Sequence, residues 1–288
     1  MIGGHKIGFY ANGSLRDMPL EETCQILKDI GYDALELDGS WLRGAATPEE
    51  LARQCGVIRQ SGLELSEIIL QEDYVNLDPE IRKTAQERTL AGLRSCSEAG
   101  ISVVNLFTGP RPWLPRALQL GKDLSVKEAW DMVLEAFDIL VPQAEALGVK
   151  MAVENVWGML AHDFFTLNFL INHYNSPNLG VNFDPSHDCL AGNRDMEFLL
   201  TMWGKERIHH IHLKDAAGSQ VRGNVLFPPL GEGFVDWQGF RKGLDAIGYD
   251  GVLSVEYEAG QQLDMVFGGD WAEAARDCYR RLNILFKD

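Results

Sequence analysis

One repeated unit, a short β-branched run followed by a longer amphipathic run, limits the fold of this chain more than any other feature. In the longer runs apolar residues recur every three or four positions, which is the period of a helix with one buried face. Alternation of strands with helices is typical of sheets built from parallel βαβ units. The eight predicted strands are 6–10, 34–37, 63–70, 102–107, 150–155, 179–183, 208–214 and 252–257.

Signals for helix boundaries lie between these strands. Thr47 and Ser125 are each followed three residues later by Glu, the pattern of a capping box that opens a helix. Glycines such as Gly100 and Gly148 stand between a helix and the next strand, where a left-handed cap suits only glycine without steric cost. The predicted helices are about 17–30, from 48 onward, 79–98, 125–147, 164–174, 196–203, 237–247 and 270–286.

The number of units predicts the architecture. Eight strand–helix units in 288 residues are the count of a (β/α)8 TIM barrel, an α/β fold. A doubly wound sheet is the competing fold, but it normally carries a glycine-rich phosphate turn after its first strand. Residues 11–14 read Ala-Asn-Gly-Ser and lack that spacing. Since no linker or change in composition divides the chain, we expect one domain over 1–288.

Composition narrows the function classes. The chain has 26 Lys and Arg against 42 Asp and Glu, a net charge of −16, which disfavours a nucleic-acid partner, although a local basic patch stays open. No apolar stretch approaches the ~20 residues of a membrane span, and residues 1–10 carry no secretory signal. The five cysteines are scattered without a CxxC motif, which favours reduced thiols over a disulfide framework. We therefore expect a cytoplasmic protein without a membrane partner.

Polar residues stand at the ends of the last four predicted strands. Glu154 ends the fifth strand, Asp184 follows the sixth, His212 lies in the seventh and Glu256 in the eighth. In TIM barrels the carboxyl ends of the strands carry the catalytic residues. Side chains two residues apart on a strand share a face, so these four converge if that face is the barrel interior.

Three carboxylates so close together need a compensating positive charge. Three carboxylate oxygens and one imidazole form a mostly hard donor set, which predicts one divalent metal ion, Mn²⁺ first, with Mg²⁺, Co²⁺ or Zn²⁺ as alternatives. Taken singly, each residue has a simpler interpretation, a cap or ion pair for a glutamate and a core contact for a histidine. Four such residues on four consecutive strands favour a metal site.

The C-terminal half also carries a series of motifs in a characteristic order. This half resembles the xylose-isomerase-like TIM-barrel superfamily, the sugar phosphate isomerase/epimerase family. The N-terminal half resembles this superfamily only in its alternation of strands and helices. The matching motifs are VEN (153–155), NFDPSHD (182–188), HIHLKD (210–215), LGEGFVDW (230–237) and GYDGVLSVEYE (248–258).

The resemblance implies roles for particular residues. Its ketose 3-epimerases place four metal ligands at the positions of Glu154, Asp184, His212 and Glu256. The same comparison implies that His187 contacts the substrate.

Two positions depart from the epimerase pattern. Leu160 stands where those enzymes carry a second glutamate, and Gly218 stands where they carry a substrate-binding arginine. We predict that Arg222 replaces that arginine, and that Lys214 and Glu258 supply further polar contacts to the substrate. A simple ion pair at the rim is the alternative for Lys214 and Glu258.

DNA-repair members of the same superfamily are a further alternative. Endonuclease IV carries a D-x-H motif shortly before its GEG and extra histidines on early strands, which together hold three zinc ions. Residues 226–230 read Leu-Phe-Pro-Pro-Leu, and the third and fourth predicted strands contain no histidine. Together with the net charge of −16, these differences argue against nuclease function.

The predicted chemistry is proton transfer next to a carbonyl of a small sugar or polyol-derived ketone. Glu154 and Glu256 are the predicted catalytic pair: one removes a proton to form an enediolate and the other returns it. The same enediolate could instead lose a β leaving group, which would make the protein a dehydratase or lyase. A third alternative, from another class, is a barrel that binds a sugar without turnover.

Aromatic residues near strand ends are candidates for the pocket wall, since they stack on sugar rings. No glycine-rich phosphate loop is present, so a phosphorylated substrate has no obvious support. The sequence leaves homo-oligomer formation open. The aromatic candidates are Phe9, Trp41, Phe107, Trp113 and Trp157.

Overall fold

A computed structural model describes residues 1–44 and 48–287. Eight parallel strands close into a barrel in which chain neighbours pair and the last strand returns to the first. The predicted TIM barrel is confirmed, and the predicted strand ends agree within two residues. The barrel strands are β1 (Lys6–Tyr10), β2 (Ala34–Asp38), β3 (Glu64–Leu70), β4 (Val103–Leu106), β5 (Lys150–Glu154), β6 (Leu179–Phe183), β7 (Ile208–Leu213) and β10 (Val252–Val255).

Between the strands lie the long helices that the sequence predicts. Ser125 opens the helix Val126–Leu147 with a complete capping box, since Glu128 N donates to Ser125 Oγ at 3.2 Å and Ser125 N donates to Glu128 Oε2 at 3.1 Å. The other predicted box begins at Thr47, which lies outside the described residues. The long helices are α2 (Leu20–Ile30), α4 (Pro48–Gln60), α5 (Pro79–Ala99), α6 (Val126–Leu147), α7 (Phe164–Tyr174), α9 (Met196–Trp203), α10 (Trp237–Ile247) and α12 (Trp271–Leu285).

Several short elements were not predicted, because one or two turns are too short to show a period. They are α1 (Ser14–Asp17), α3 (Gly39–Gly44), α8 (Pro185–Ala191), α11 (Gly260–Val266) and the two-stranded hairpin β8 (Ala217–Gly218) with β9 (Val225–Leu226). Two of them matter for the site. α8 begins directly after Asp184, and the hairpin lies in the loop that follows β7.

The apolar core lies between the barrel and the surrounding helices and includes Phe183 and Phe240. The barrel interior is different, because it contains buried polar side chains such as Glu67 and His212. Gly8 lets β1 approach β10 closely, since a Cβ at that position would lie 2.9 Å from Val252 Cγ1. The fold thus leaves a polar centre within an apolar shell.

Two further sequence predictions concern the whole chain. All five cysteines are buried and free, and no disulfide occurs among the described residues. Within residues 1–44 and 48–287, no helix combines the length and apolar character needed to cross a membrane.

Candidate metal centre and active site

The four predicted metal-ligand residues lie together at the carboxyl ends of the barrel strands. One ligand atom from each of Glu154, Asp184, His212 and Glu256 lies within 4.8 Å of the others. Three of these residues are buried, and the side chain of Glu256 is only 11% exposed. The alternation of side chains along β7 and β10 brings these groups inward, as the sequence predicts.

His212 is oriented like an imidazole that binds a metal ion. Its Nδ1 lies 3.2 Å from Glu154 Oε1 and 3.2 Å from Glu256 Oε2, while its Nε2 lies 2.9 Å from Glu36 Oε1. Metal-binding histidines almost always donate their second ring N–H to a carboxylate or carbonyl, and Glu36 stands in that position. Burial alone would lower the pKa of His212, but the surrounding carboxylates, Glu36 first, raise it well above its usual range. The donor set therefore fits a divalent cation.

Glu154 and Glu256 have opposite electrostatic surroundings. Burial raises the pKa of Glu154 to about 7, against the opposing effect of His212. Burial would also raise the pKa of Glu256, but Lys214 and His212 outweigh it and hold that pKa well below its usual range. Two carboxyls with pKa values driven apart are the usual arrangement of an acid and a base.

Lys214 lies among the acidic residues of the site. Its Nζ is 3.0 Å from Asp184 Oδ2, 2.5 Å from Glu256 Oε2 and 3.2 Å from Glu258 Oε2. It also lies 4.8 Å from the centre of the Phe227 ring. Burial would lower the pKa of Lys214, but these carboxylates, Asp184 first, raise it well above its usual range. The ammonium group therefore stays charged.

His187 faces the same acidic residues from α8. The backbone N–H of Trp157 donates to His187 Nδ1 at 3.3 Å, so Nε2 carries the proton of the neutral ring. That Nε2 lies 3.5 Å from Asp184 Oδ2 and 3.8 Å from Glu154 Oε1. Burial, with Lys214 nearby, lowers the pKa of His187 to about 3. His187 is thus a neutral hydrogen-bond donor.

Asp184 belongs to the site and also caps the start of α8. Its Oδ1 accepts a hydrogen bond from Ser186 N at 2.8 Å and caps the helix, and Pro185 occupies the first helical position. Its Oδ2 lies on the other side, toward Lys214 and His187. The DPSH motif therefore fixes the carboxylate and the histidine relative to each other.

A cavity of about 370 Å³ opens above these residues. This volume lies in the usual range for small-molecule sites and suits a monosaccharide. It is lined by Gln71, Phe107, Trp113, Glu154, Val156, Trp157, His187, Lys214, Phe227, Glu256 and Glu258.

The remaining predicted residues divide between the cavity and elsewhere. Among the predicted aromatics, Phe107, Trp113 and Trp157 line the cavity. Phe9 is fully buried in the core, and Trp41 packs half-buried against that core outside the cavity lining.

The residues predicted to make polar contacts with the substrate also differ in position. Glu258 lines the cavity with a side chain that is 42% exposed. Arg222 is exposed in the loop between β8 and β9 and is not among the cavity-lining residues. Leu160, the first departure from the epimerase pattern, is buried in the core.

Two glutamates of the barrel interior were missed from the sequence. Glu36 on β2 and Glu67 on β3 are fully buried and lie beside His212. The available signal was a single charged residue inside an apolar strand, Glu36 between Leu35 and Leu37. An inward-facing charge on a strand needs a partner across the barrel, and pairwise proximity across the barrel is not visible in the sequence.

Asp215 organises the loop that follows β7. Its carboxylate accepts hydrogen bonds from five N–H groups. Four belong to the LGEGFVDW segment, and the fifth is the backbone N–H of the next residue, Ala216. A Cβ at Gly233 would lie 2.1 Å from Asp215 Oδ1, which explains the glycine there. The donors are Ala216 N (2.9 Å), Gly231 N (2.9 Å), Gly233 N (3.1 Å), Val235 N (3.1 Å) and Trp237 Nε1 (3.0 Å).

A family model for the xylose isomerase-like TIM barrel matches residues 24–282. The chain belongs to this family. The resemblance carried by the C-terminal motifs is therefore confirmed, and the match extends into the N-terminal half. Similar proteins and structures include ones named as epimerases and dehydratases.

Individual relatives are distant. Uncharacterized protein MJ1311 of Methanocaldococcus jannaschii is 28% identical over 199 residues, which cover 66% of this chain and 64% of that protein. A putative L-ribulose-5-phosphate 3-epimerase of Escherichia coli is 27% identical over 292 residues, covering 94% of this chain and 96% of the relative.

Two solved structures share the fold. The apo crystal structure of 3-keto-D-glucoside 4-epimerase from Escherichia coli has a TM-score of 0.77 and 18% identity, with 97% of this chain and 99% of that chain covered. The IOLI protein with a bound zinc atom has a TM-score of 0.74 and 18% identity, with coverage of 97% and 96%.

Proposed function

We propose that this protein is a divalent-metal-dependent isomerase or epimerase of a small sugar or polyol-derived ketone. The observation that carries the proposal is the position of Glu154 and Glu256. Both carboxylates line a cavity of monosaccharide size and both contact His212. The names of the relatives, a putative pentulose phosphate 3-epimerase and a keto-glucoside 4-epimerase, support the same reaction class.

Glu154, Asp184, His212 and Glu256 would hold the ion. Their oxygen-rich donor set favours Mn²⁺, while Mg²⁺, Co²⁺ and Zn²⁺ remain compatible. When bound, such a cation polarises a substrate carbonyl and stabilises negative charge on its oxygen.

The chain's own residues would move the proton. With a pKa near neutrality in the metal-free protein, Glu154 is suited to remove a proton from the carbon next to the carbonyl. The proton held by Glu154 would return to the adjacent carbon, or a proton from Lys214, whose Nζ lies 2.5 Å from Glu256 Oε2, would pass through Glu256 to the opposite face. His187, through its Nε2–H, would donate a hydrogen bond to a substrate oxygen, and Lys214 would neutralise charge that develops in the cavity.

Glu258 and the aromatic residues would set the fit of the substrate. Phe107, Trp113 and Trp157 form an apolar wall on which a sugar ring can stack. Glu258, the most exposed of the acidic residues at the site, is placed to accept hydrogen bonds from substrate hydroxyls. Arg222 would contact only a substrate that extends beyond the cavity, since it is exposed in the loop between β8 and β9 and does not line the cavity.

The direct test is hydrogen exchange in D₂O. Protein loaded with Mn²⁺ is incubated with a panel of ketoses, and the products are analysed by NMR and mass spectrometry. We expect deuterium at the carbon next to the carbonyl without loss of oxygen. Glu154→Gln and Glu256→Gln should each lower the exchange rate at least about a hundredfold, the usual size of an acid–base contribution. The matched control is Glu21→Gln, which changes an exposed carboxylate on α2.

The other outcomes identify the alternatives. Formation of an enone with loss of water contradicts isomerisation and supports a dehydratase that uses the same proton abstraction. Binding of metal and sugar without turnover in wild type and in Glu154→Gln contradicts both reactions and supports a non-catalytic sugar-binding barrel.

A further inference from the structure

A second cluster of potential ligands lies in the barrel interior, separate from the cavity. It consists of Glu36 on β2, Glu67 on β3, and His210 and His212 on β7, with one ligand atom from each within 4.8 Å of the others. All four side chains are buried, none more than 2% exposed, and none lines the cavity of about 370 Å³. The proposed reaction uses only His212 of these four.

Within the part of the chain that the structure describes, three buried atoms of this second cluster have no hydrogen-bond partner: Glu36 Oε2, Glu67 Oε2 and His210 Nε2. Buried polar atoms in folded proteins are nearly always satisfied, so an unsatisfied carboxylate or imidazole atom indicates a missing ligand. Three such atoms on three different residues of one cluster are a stronger indication than any one of them.

The distances suit a common ion. His210 Nε2 lies 3.9 Å from Glu36 Oε2, and one ligand atom from each of Glu36, Glu67 and His210 lies within 4.8 Å of the others. Two ligand atoms that are each ~2.1 Å from one cation lie at most ~4.2 Å apart, so a separation of 3.9 Å is compatible with a shared cation.

No lysine or arginine of residues 1–44 and 48–287 forms an ion pair with these two carboxylates. Among the described residues, the ion pairs of Glu36 and Glu67 involve only His210 and His212. The amide Nδ2 atoms of Asn105 and Asn182 approach Glu67 Oε1 at 3.4 Å, which is a weak contact for a buried carboxylate. Among the described residues, the positive charge beside these two carboxylates is therefore that of the His212 imidazolium, which is shared with Glu154 and Glu256.

We propose that Glu36, Glu67 and His210 bind a second divalent cation, below the catalytic one. His212 lies between the two sites: its Nδ1 faces Glu154 and Glu256, and its Nε2 faces Glu36. Two carboxylates and one imidazole suit Zn²⁺, Co²⁺ or Mn²⁺. Since the site is closed to the cavity, the cation is structural: it joins β2 and β3 to β7 across the barrel and fixes the carboxylate that orients His212.

Metal content of the whole protein tests this. The chain is stripped with a chelator, reloaded with excess Mn²⁺ or with excess Zn²⁺, passed over a desalting column and analysed by elemental mass spectrometry. We expect two ions per chain in wild type and in the Glu21→Gln control. Glu67→Gln and Asp184→Asn should each retain one, and the double variant none. In the Mn²⁺ form, electron paramagnetic resonance should show a coupled pair in wild type and isolated ions in each single variant.

One ion per chain in wild type, or two ions retained in Glu67→Gln, would overturn the proposal. Circular dichroism checks that the variants fold. His210→Gln removes a different ligand of the same site and should also retain one ion, and the coupled signal of wild type needs no variant. One ion in both wild type and Glu67→Gln, with none in Asp184→Asn, would overturn the second site and leave the proposed function intact.

Discussion

At the scale of single residues, Lys214 has the most unusual position in the site. Its ammonium group contacts Asp184 and Glu256, two of the residues that would bind the metal ion. In the metal-free protein it therefore supplies part of the positive charge that the carboxylates need. The same group competes with an incoming cation, because each contact with Lys214 occupies an oxygen lone pair that the cation would use.

Lys214→Met should therefore separate binding from turnover. Without the ammonium group, two carboxylates lose their partner, so we expect Mn²⁺ to bind about tenfold more tightly, ~1.4 kcal/mol in binding free energy. Turnover should fall at least about tenfold, because developing charge in the cavity is no longer neutralised. Calorimetry and the exchange assay measure the two effects.

The matched control is Lys205→Met, which breaks the exposed ion pair of Lys205 with Asp250 and should change neither quantity. Weaker Mn²⁺ binding in Lys214→Met would contradict the competition between the ammonium group and the cation.

At the scale of elements, the loop from β7 to α10 has the structure that Asp215 imposes on it. Five N–H donors converge on this one buried carboxylate, and four of them come from residues 231–237. The loop in turn carries Phe227, which packs against both His187 and Lys214. The HIHLKD and LGEGFVDW motifs are thus two halves of one structural unit at the rim of the cavity.

Asp215→Asn should destabilise this unit, because an amide places an NH₂ group among donors and loses charge-assisted hydrogen bonds. We expect the free energy of unfolding to fall by about 3 kcal/mol. Denaturant unfolding measures the change. The control is Asp195→Asn at the start of α9, where Asn caps as well as Asp and the effect should stay within about 0.5 kcal/mol. Equal effects of the two substitutions would contradict the role of Asp215.

At the scale of the whole molecule, barrel closure determines which groups meet. The parallel strands all point their carboxyl ends to one rim, so residues from β5, β6, β7 and β10 come together although they are far apart in the chain. Closure also buries Glu154 among other acidic groups, which raises its pKa to about 7. We therefore expect the stability of the barrel to depend on pH and on whether a metal ion is bound.

Mn²⁺ should stabilise the protein more at pH 8 than at pH 6. The folded pKa of Glu154, about 7, lies above the ordinary value of 4.5, so the metal-free protein loses stability as the pH rises through this window. A cation needs the ionised carboxylate, so its binding at pH 6 must first displace a proton. Thermal melts with and without Mn²⁺ should show a larger rise in Tm at pH 8. A rise that is independent of pH would contradict a protonated Glu154 at pH 6.

The sequence by itself determined the fold class, the strand and helix limits, and the four residues that converge at the candidate metal centre. These features follow from local periods: 3.6 residues for a helix, two for a strand, and the fixed direction of parallel strands. For the same reason, the capping box at Ser125 was readable in the sequence and is present in the structure.

Only the tertiary structure decided which side chains become partners across the barrel. Glu36 and Glu67 lie far from His212 in sequence yet contact it, and Lys214 lies among ligands that belong to other strands. Such contacts depend on strand register and barrel closure. Register and closure are determined by many small packing preferences along the whole chain. Burial, and therefore the charge state of each carboxyl group, follows from that closure, because a local sequence motif does not determine how much water surrounds it.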